Sequence, residues 1–127
     1  MTKPMTSLSS LIILALASTA AVADGDAERG KKVFNKCKSC HVVDAEKNKV
    51  GPHLVGIIGR PAGAAEGFKY SDAMANSGIT WDEATIAAYI ADPKGYVKGN
   101  KMAFAGLKKE DDIADVVAYL KEAAGGS

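Results

Sequence analysis

Cys37 and Cys40 stand three residues apart, and His41 follows at once. On a helical turn, positions at that spacing share a face, so both thiols can form thioethers to the vinyl groups along one edge of a porphyrin. The imidazole that follows then lies beneath the ring, where its neutral form can ligate iron. Cys37-Lys38-Ser39-Cys40-His41 is therefore a pattern for covalent attachment of a c-type haem. Other chemistries use fewer of these residues. A zinc site built from the two cysteines, His41 and His53 would want a second ligand pair at finger-like spacing, which is absent. A redox dithiol would want a βαβ pattern around it, and a bare C-x-x-C could also close a disulfide.

An iron held from one side by His41 needs its sixth position explained. Of the four methionines, Met1 and Met5 fall in a leader described below, so the candidates are Met74, Met102 and, as a nitrogen ligand, His53. Met102 is preferred. A thioether is a soft ligand that favours Fe(II), and a loop methionine flanked by glycines can be brought across the ring from His41. Met102 could also be a gap-filling core methionine, and His53 reads as a surface or structural side chain.

These residues need elements to place them. Asp26 ahead of Ala27-Glu28-Arg29-Gly30-Lys31-Lys32-Val33-Phe34 predicts a capped helix running toward the cysteines, with Val33 and Phe34 inward. Gly30 inside it costs about 1 kcal/mol against alanine, so it marks either a close approach of another backbone or a tolerated glycine. After His41 helical periodicity is lost, and Gly51-Pro52, Gly56, Gly59, Pro61, Gly63 and Gly67 predict turns. Ser71 caps a short helix through Asp72-Ala73-Met74-Ala75, ended by Asn76-Ser77-Gly78. Thr80 as N-cap and Glu83 at N3 read as a capping box, opening a helix with Ile86, Tyr89 and Ile90 on one face until Asp92-Pro93 stops it. Residues 93–106 read as an extended loop that carries Tyr96, Met102 and Phe104, apolar groups that need something to cover. The last helix has Glu110, Asp111 and Asp112 in its first turn and Ile113, Val116, Val117 and Leu120 at helical spacing, before Gly125-Gly126. The expected class is all-α with long loops.

The chain has 127 residues and a formal net charge of +1. Lys3, the run Leu11-Ile12-Ile13-Leu14-Ala15-Leu16-Ala17 and the small-residue end Ala21-Val22-Ala23 predict a secretory leader over residues 1–23, cleaved after Ala23. Its apolar stretch falls short of the about 20 residues that span a bilayer, so an uncleaved anchor fits less well. Residues 24–127 then form one domain, modest for burying a core unaided; a bound haem would add apolar surface. With Lys3 gone, acidic and basic side chains balance. Electrostatic docking must then come from how charge is distributed. No nucleic-acid motif, phosphate loop, repeat or low-complexity segment is present.

From residue 30 to residue 120 the chain resembles the class I c-type cytochromes, and within them it is most similar to bacterial cytochrome c2 and mitochondrial cytochrome c. The resemblance is carried by Cys37-Lys38-Ser39-Cys40-His41, Gly51-Pro52-His53-Leu54-Val55-Gly56-Ile57-Ile58-Gly59-Arg60, Gly67-Phe68-Lys69-Tyr70-Ser71-Asp72-Ala73, Gly78-Ile79-Thr80-Trp81 and Asp92-Pro93-Lys94-Gly95-Tyr96. Gly99-Asn100-Lys101-Met102-Ala103-Phe104-Ala105-Gly106 continues it. Order and spacing match over nearly the whole domain.

The resemblance implies the class I cytochrome c fold, short helices and long loops wrapped around one covalently bound haem c. It makes His41 and Met102 the axial ligands of a low-spin iron and Cys37 and Cys40 the attachment points. Pro52 becomes the carbonyl that accepts a hydrogen bond from the proximal histidine, and Tyr89 the ring beside the methionine sulfur. Tyr70, Trp81 and Arg60 match groups around a buried propionate, and Asn100 a further propionate contact. A carboxylate buried among apolar residues needs such partners. Gly30 and Phe34 match the crossing of the first helix with the last, facing Val116 and Tyr119, which favours the packing account of Gly30. Against mitochondrial members, Met74 replaces asparagine, Lys98 replaces proline, and the stretch from His41 to Gly51 is slightly shorter.

The implied activity is that of a soluble, monomeric periplasmic electron carrier rather than an enzyme. Iron filled on both sides leaves no place for substrate, and a two-haem peroxidase would carry a second C-x-x-C-H. Lys36, Lys49, Lys94, Lys101, Lys108 and Lys109 match a lysine ring around the haem edge. Such a ring would dock on acidic faces of a cytochrome bc1 complex as donor and of a terminal oxidase or photosynthetic reaction centre as acceptor.

Overall fold

The computed structural model describes residues 25–126, with Thr2, Pro4 and Ile12 singly. Apart from those three positions, the expected leader over residues 1–23 lies outside the described residues, as does its cleavage point. The elements are α1 (Ala27–Val33), α2 (Asp72–Ala75), α3 (Glu83–Ala91), α4 (Pro93–Tyr96) and α5 (Glu110–Ala123), with a tighter 3-10 turn Phe34–Lys36 directly after α1. Among the described residues, extended pairing is limited to the isolated bridges Ile58 with Gly126 and Pro61 with Thr80. The fold is all-α with long loops, as the sequence implies.

The first and last helices make the frame. Asp26 caps α1 by accepting from the Arg29 N–H at 3.0 Å, as its position predicts. Gly30 is buried where α1 crosses α5, and a Cβ there would strike the carbonyl of Asp115 and the Cβ of Tyr119. Only glycine lets the two backbones approach this closely. One turn on, the Phe34 and Tyr119 rings pack with centroids 5.3 Å apart. The same crossing buries a carboxylate: Asp115, 5% exposed, accepts from the Asp26 N–H at 2.7 Å and from Arg29 Nε at 3.3 Å. A buried carboxylate with a backbone donor and a guanidinium on it is satisfied, and it ties the first turn of α1 to α5.

Behind this frame lies one core. Phe34, Val116, Val117, Leu120 and Ala124 from the crossing join Val43, Ile57, Met74, Trp81, Ile86, Val97 and Leu107 from the middle of the chain. The apolar stripe of α5 is the source of its share. The C-terminal end also clasps the loop after the histidine motif. Gly56 N–H donates to the Ala124 carbonyl at 2.7 Å and Ile58 N–H to the Gly125 carbonyl at 3.3 Å.

Two sequence expectations are corrected here. Thr80 is not the N-cap of α3, nor is Glu83 its N3 residue. Asp82 is the N-cap, Thr85 is N3, and the two form a reciprocal capping box with Asp82 accepting at 2.7 Å and Thr85 Oγ1 at 2.8 Å. Thr80 is held extended by its bridge to Pro61, and Trp81 N–H donates to the Arg60 carbonyl at 2.9 Å. Backbone committed to that pairing cannot start a helix. Residues 93–106 are likewise not one extended loop. Asp92 ends α3 and caps α4, accepting from the Gly95 N–H at 3.1 Å, with Pro93 at the first helical position. Proline there lacks only an N–H that the first turn leaves unpaired anyway.

Candidate cofactor and metal-ligand site

The thiol side is built on a turn. Cys37 N–H donates to the Phe34 carbonyl at 2.8 Å; Cys40 and His41 N–H both donate to the Cys37 carbonyl, at 3.1 and 3.0 Å. The residues follow the 3-10 turn rather than sitting within a helix, yet the helix-like bonding keeps the two thiols three residues apart on one turn. Both cysteines are unpaired and half-buried. Burial pushes the Cys37 thiol up, and Cys40 beside it adds to the shift.

His41 is fixed through its second nitrogen. Its Nδ1 donates to the Pro52 carbonyl at 2.7 Å, which assigns the tautomer and leaves Nε2 with its lone pair available for a metal. Burial lowers the pKa of the ring, against the opposing pull of the Pro52 carbonyl, and so favours the neutral, ligating form. Gly51 is what allows this approach: a Cβ there would run into the imidazole. Reading Gly51 only as a turn signal missed this role, although a glycine directly before the histidine's acceptor was the available clue. Gly51 N–H also closes on the Cys40 carbonyl at 2.9 Å, joining the loop to the cysteine motif.

Met102 lies in a stretch, residues 101–109, without regular structure. Side chains hold it at both ends. Tyr89 Oη donates to Met102 Sδ at 3.7 Å, while the Asn100 carbonyl oxygen accepts from the Met102 N–H at 2.9 Å. Burial pushes the Tyr89 phenol up to about 12, so its hydroxyl keeps its proton at neutral pH and can go on donating. Tyr89 packs against Trp81 at 5.1 Å and against Tyr96 at 6.4 Å between centroids. Met74, the other methionine candidate, is a buried core residue.

Of the expected propionate partners, Tyr70 and Trp81 lie beside Arg60, whereas Asn100 bonds to Pro93, Val97 and Met102. Arg60 Nη1 donates to the Val55 carbonyl at 3.2 Å and lies 3.5 Å from His53 Nδ1. Arg60 Nε is buried with no partner among the described residues. Burial lowers the Arg60 pKa, and nearby Tyr70 works against that shift. The Tyr70 oxygen accepts from the Ala65 N–H at 3.0 Å. His53 is a structural rather than a surface side chain: it is 8% exposed, and its Nδ1 accepts from the Val55 N–H at 3.2 Å.

The donor set fits a covalently attached haem. Two cysteines outside any disulfide, an imidazole with one nitrogen free, and a thioether held by a hydroxyl could supply attachment and ligation. The unsatisfied Arg60 N–H asks for an acidic acceptor such as a propionate. Among the described residues no three or more histidine, cysteine, aspartate or glutamate side chains gather as a metal site.

Comparison with known proteins points the same way. A family model described as Cytochrome c matches residues 27–124. Cytochrome c2 iso-2 of Magnetospirillum fulvum is 60% identical over 88 residues, which is 69% of this chain and 92% of that protein. Cytochrome c2 of Blastochloris viridis is 50% identical over 113 residues, 88% of each chain. Among solved structures, cytochrome cH from Methylobacterium extorquens superposes with a TM-score of 0.73 at 47% identity, covering 77% of this chain and 99% of that one.

Proposed function

The chain belongs to the cytochrome c family, and from that premise we propose that it is a periplasmic carrier of single electrons whose haem iron is ligated by His41 and Met102. Family membership makes the cofactor a covalently attached haem c and the activity electron transfer rather than catalysis. When bound, that group supplies an iron that alternates between two oxidation states one electron apart.

The chain's residues do the rest. Cys37 and Cys40 hold the group covalently, which prevents its loss outside the cytoplasm. The Pro52 carbonyl fixes the His41 ring through Nδ1, which leaves Nε2 as the nitrogen that would hold the iron. Met102 offers a soft sulfur that favours the reduced state, and the Tyr89 hydroxyl orients it. Arg60, Tyr70 and Trp81 enclose a propionate, Arg60 supplying the positive charge. If His41 and Met102 both hold the iron, no side-chain-free position would be left for substrate, and an electron could pass with little rearrangement of the chain. The observation that carries this reading is the contact between the Tyr89 hydroxyl and the Met102 sulfur, since it singles out one methionine from the candidates.

Lys36, Lys49, Lys94, Lys101, Lys108 and Lys109 are all exposed, as a docking ring for acidic partners requires. The partners of this reading are a cytochrome bc1 complex and either a terminal oxidase or a photosynthetic reaction centre, met by a monomer whose leader, residues 1–23, directs export. Among the described residues no helix is long and apolar enough to cross a membrane. Association should weaken as salt rises.

The test is the visible spectrum of the protein purified from the periplasm of a host that matures c-type haem, oxidised and then reduced with dithionite. A sharp low-spin α band on reduction, with a weak oxidised band at about 695 nm from sulfur-to-iron ligation, is expected. A high-spin resting spectrum would favour an open iron site with peroxidase-like chemistry, and absence of haem absorbance would overturn both.

A further inference from the structure

Met102 is held at its sulfur by Tyr89, and its backbone has a separate restraint. The Asn100 side chain makes three hydrogen bonds: its oxygen accepts from the Met102 N–H at 2.9 Å, and its Nδ2 donates to the Pro93 carbonyl at 2.7 Å and to the Val97 carbonyl at 2.8 Å. Pro93 is the largest fully buried side chain among the described residues, and Val97 is core. The amide thus links the one turn of α4, fixed in the core, to the backbone of a residue in a stretch with no helix or strand of its own. Gly99, at φ +88°, provides the left-handed step that folds the chain back so that Asn100 can reach α4.

We propose that Asn100 is a positioning residue for Met102: through its bonds to the α4 carbonyls and to the Met102 N–H it sets where the thioether can sit, and so how persistently it stays on the iron. This rests on Met102 being the axial ligand. The resemblance gives Asn100 a propionate contact, whereas in the folded chain its oxygen and amide hydrogens are engaged by polypeptide. The two halves of the device are separable. The bond to Met102 N–H is the turn that Asn, Asp, Ser or Thr can make two residues ahead, while the two donations to α4 need an amide.

The experiment uses the intact haem-loaded protein and two variants, Asn100→Ala and Asn100→Ser. The oxidised band at about 695 nm reports sulfur ligation; it is followed on warming beside far-ultraviolet circular dichroism, which reports the helices. Asn100→Ala, which removes all three hydrogen bonds, should lose the band well below the temperature at which the helices melt, with about a tenfold or larger increase in the fraction of oxidised protein lacking it at 25 °C. Asn100→Ser, which keeps the turn but not the anchor, should fall between Asn100→Ala and the parent. The proposal is overturned if the band in Asn100→Ala persists as in the parent, or if band and helices are lost together, which would make the residue merely structural. A parent protein without the band would instead remove the ligand assignment on which the proposal stands.

Discussion

Where α1 crosses α5, main chain meets main chain; where the chain passes Met102, side chains hold main chain in place. At the crossing, Gly30 brings its backbone against that of Asp115, and the buried Asp115 carboxylate accepts from the Asp26 N–H and from the Arg29 guanidinium, which reaches it from the surface. Around Met102, residues 101–109 have no ladder of their own, and the link from Asn100 and the hydroxyl of Tyr89 hold the residue. The first kind of contact has no slack, because any added atom meets backbone. The second can be lost one bond at a time while the core stays whole. The fold thus separates what keeps the molecule folded from what sets its chemistry.

Substitutions that act on one region and spare the other test this separation. The largest effect is expected for Gly30→Val, whose side chain would have to displace the Asp115 backbone. It should destabilise the holoprotein by about 3 kcal/mol or more, read as a fall in thermal midpoint of more than about 10 °C. The protein that remains folded should keep its 695 nm band. Asp115→Ala comes next: it removes the acceptor of the part-buried Asp26 N–H and of the Arg29 guanidinium, for a loss of about 1 kcal/mol in denaturant unfolding. Here too ligation should be unaffected. The smallest stability effect belongs to Tyr89→Phe, within about 0.5 kcal/mol of the parent because ring packing on Trp81 is kept. Its reduction potential, measured by redox titration, should nevertheless fall, since a hydrogen bond to the sulfur favours the electron-rich reduced state. A large stability loss in Tyr89→Phe, or loss of the 695 nm band in folded Asp115→Ala, would mean that the two regions are coupled.

Much of the frame was legible because its signals are local or fixed by type. Asp26 and Ser71 cap where expected, Ser71 accepting from the Met74 N–H at 3.1 Å. The acidic first turn and apolar stripe of α5 give its extent, and Gly30 was out of place enough to suggest a crossing. The start of α3 was misread because Thr80 and Asp82 are both good caps, and the choice was made by pairing with residues 59–62, which no local pattern contains. The return to helix at α4 could have been found: an N-cap aspartate followed by proline at the first helical position is a start signal as well as a stop. In the site, residue types pointed to the thiols and the histidine, and the matched pattern to Met102. The resemblance also named the Pro52 and Tyr89 contacts; other constraints were out of its reach. That Gly51 must be bare for His41 to reach Pro52, and that the Asn100 amide turns toward α4, follow only once loops far apart in sequence are packed together.

Asp26 and Asp115 are 89 residues apart in the chain and bonded in the fold, and the loop beyond His41 is closed by Ala124 and Gly125. A polypeptide that emerges amino end first therefore presents Cys37 and Cys40 long before the segment that completes their surroundings exists. Closing so distant a pair also carries the entropic cost that delays non-local contacts. Whatever order the rest of the fold takes, the last helix is thus the piece whose arrival closes both the first helix and the loop beyond His41.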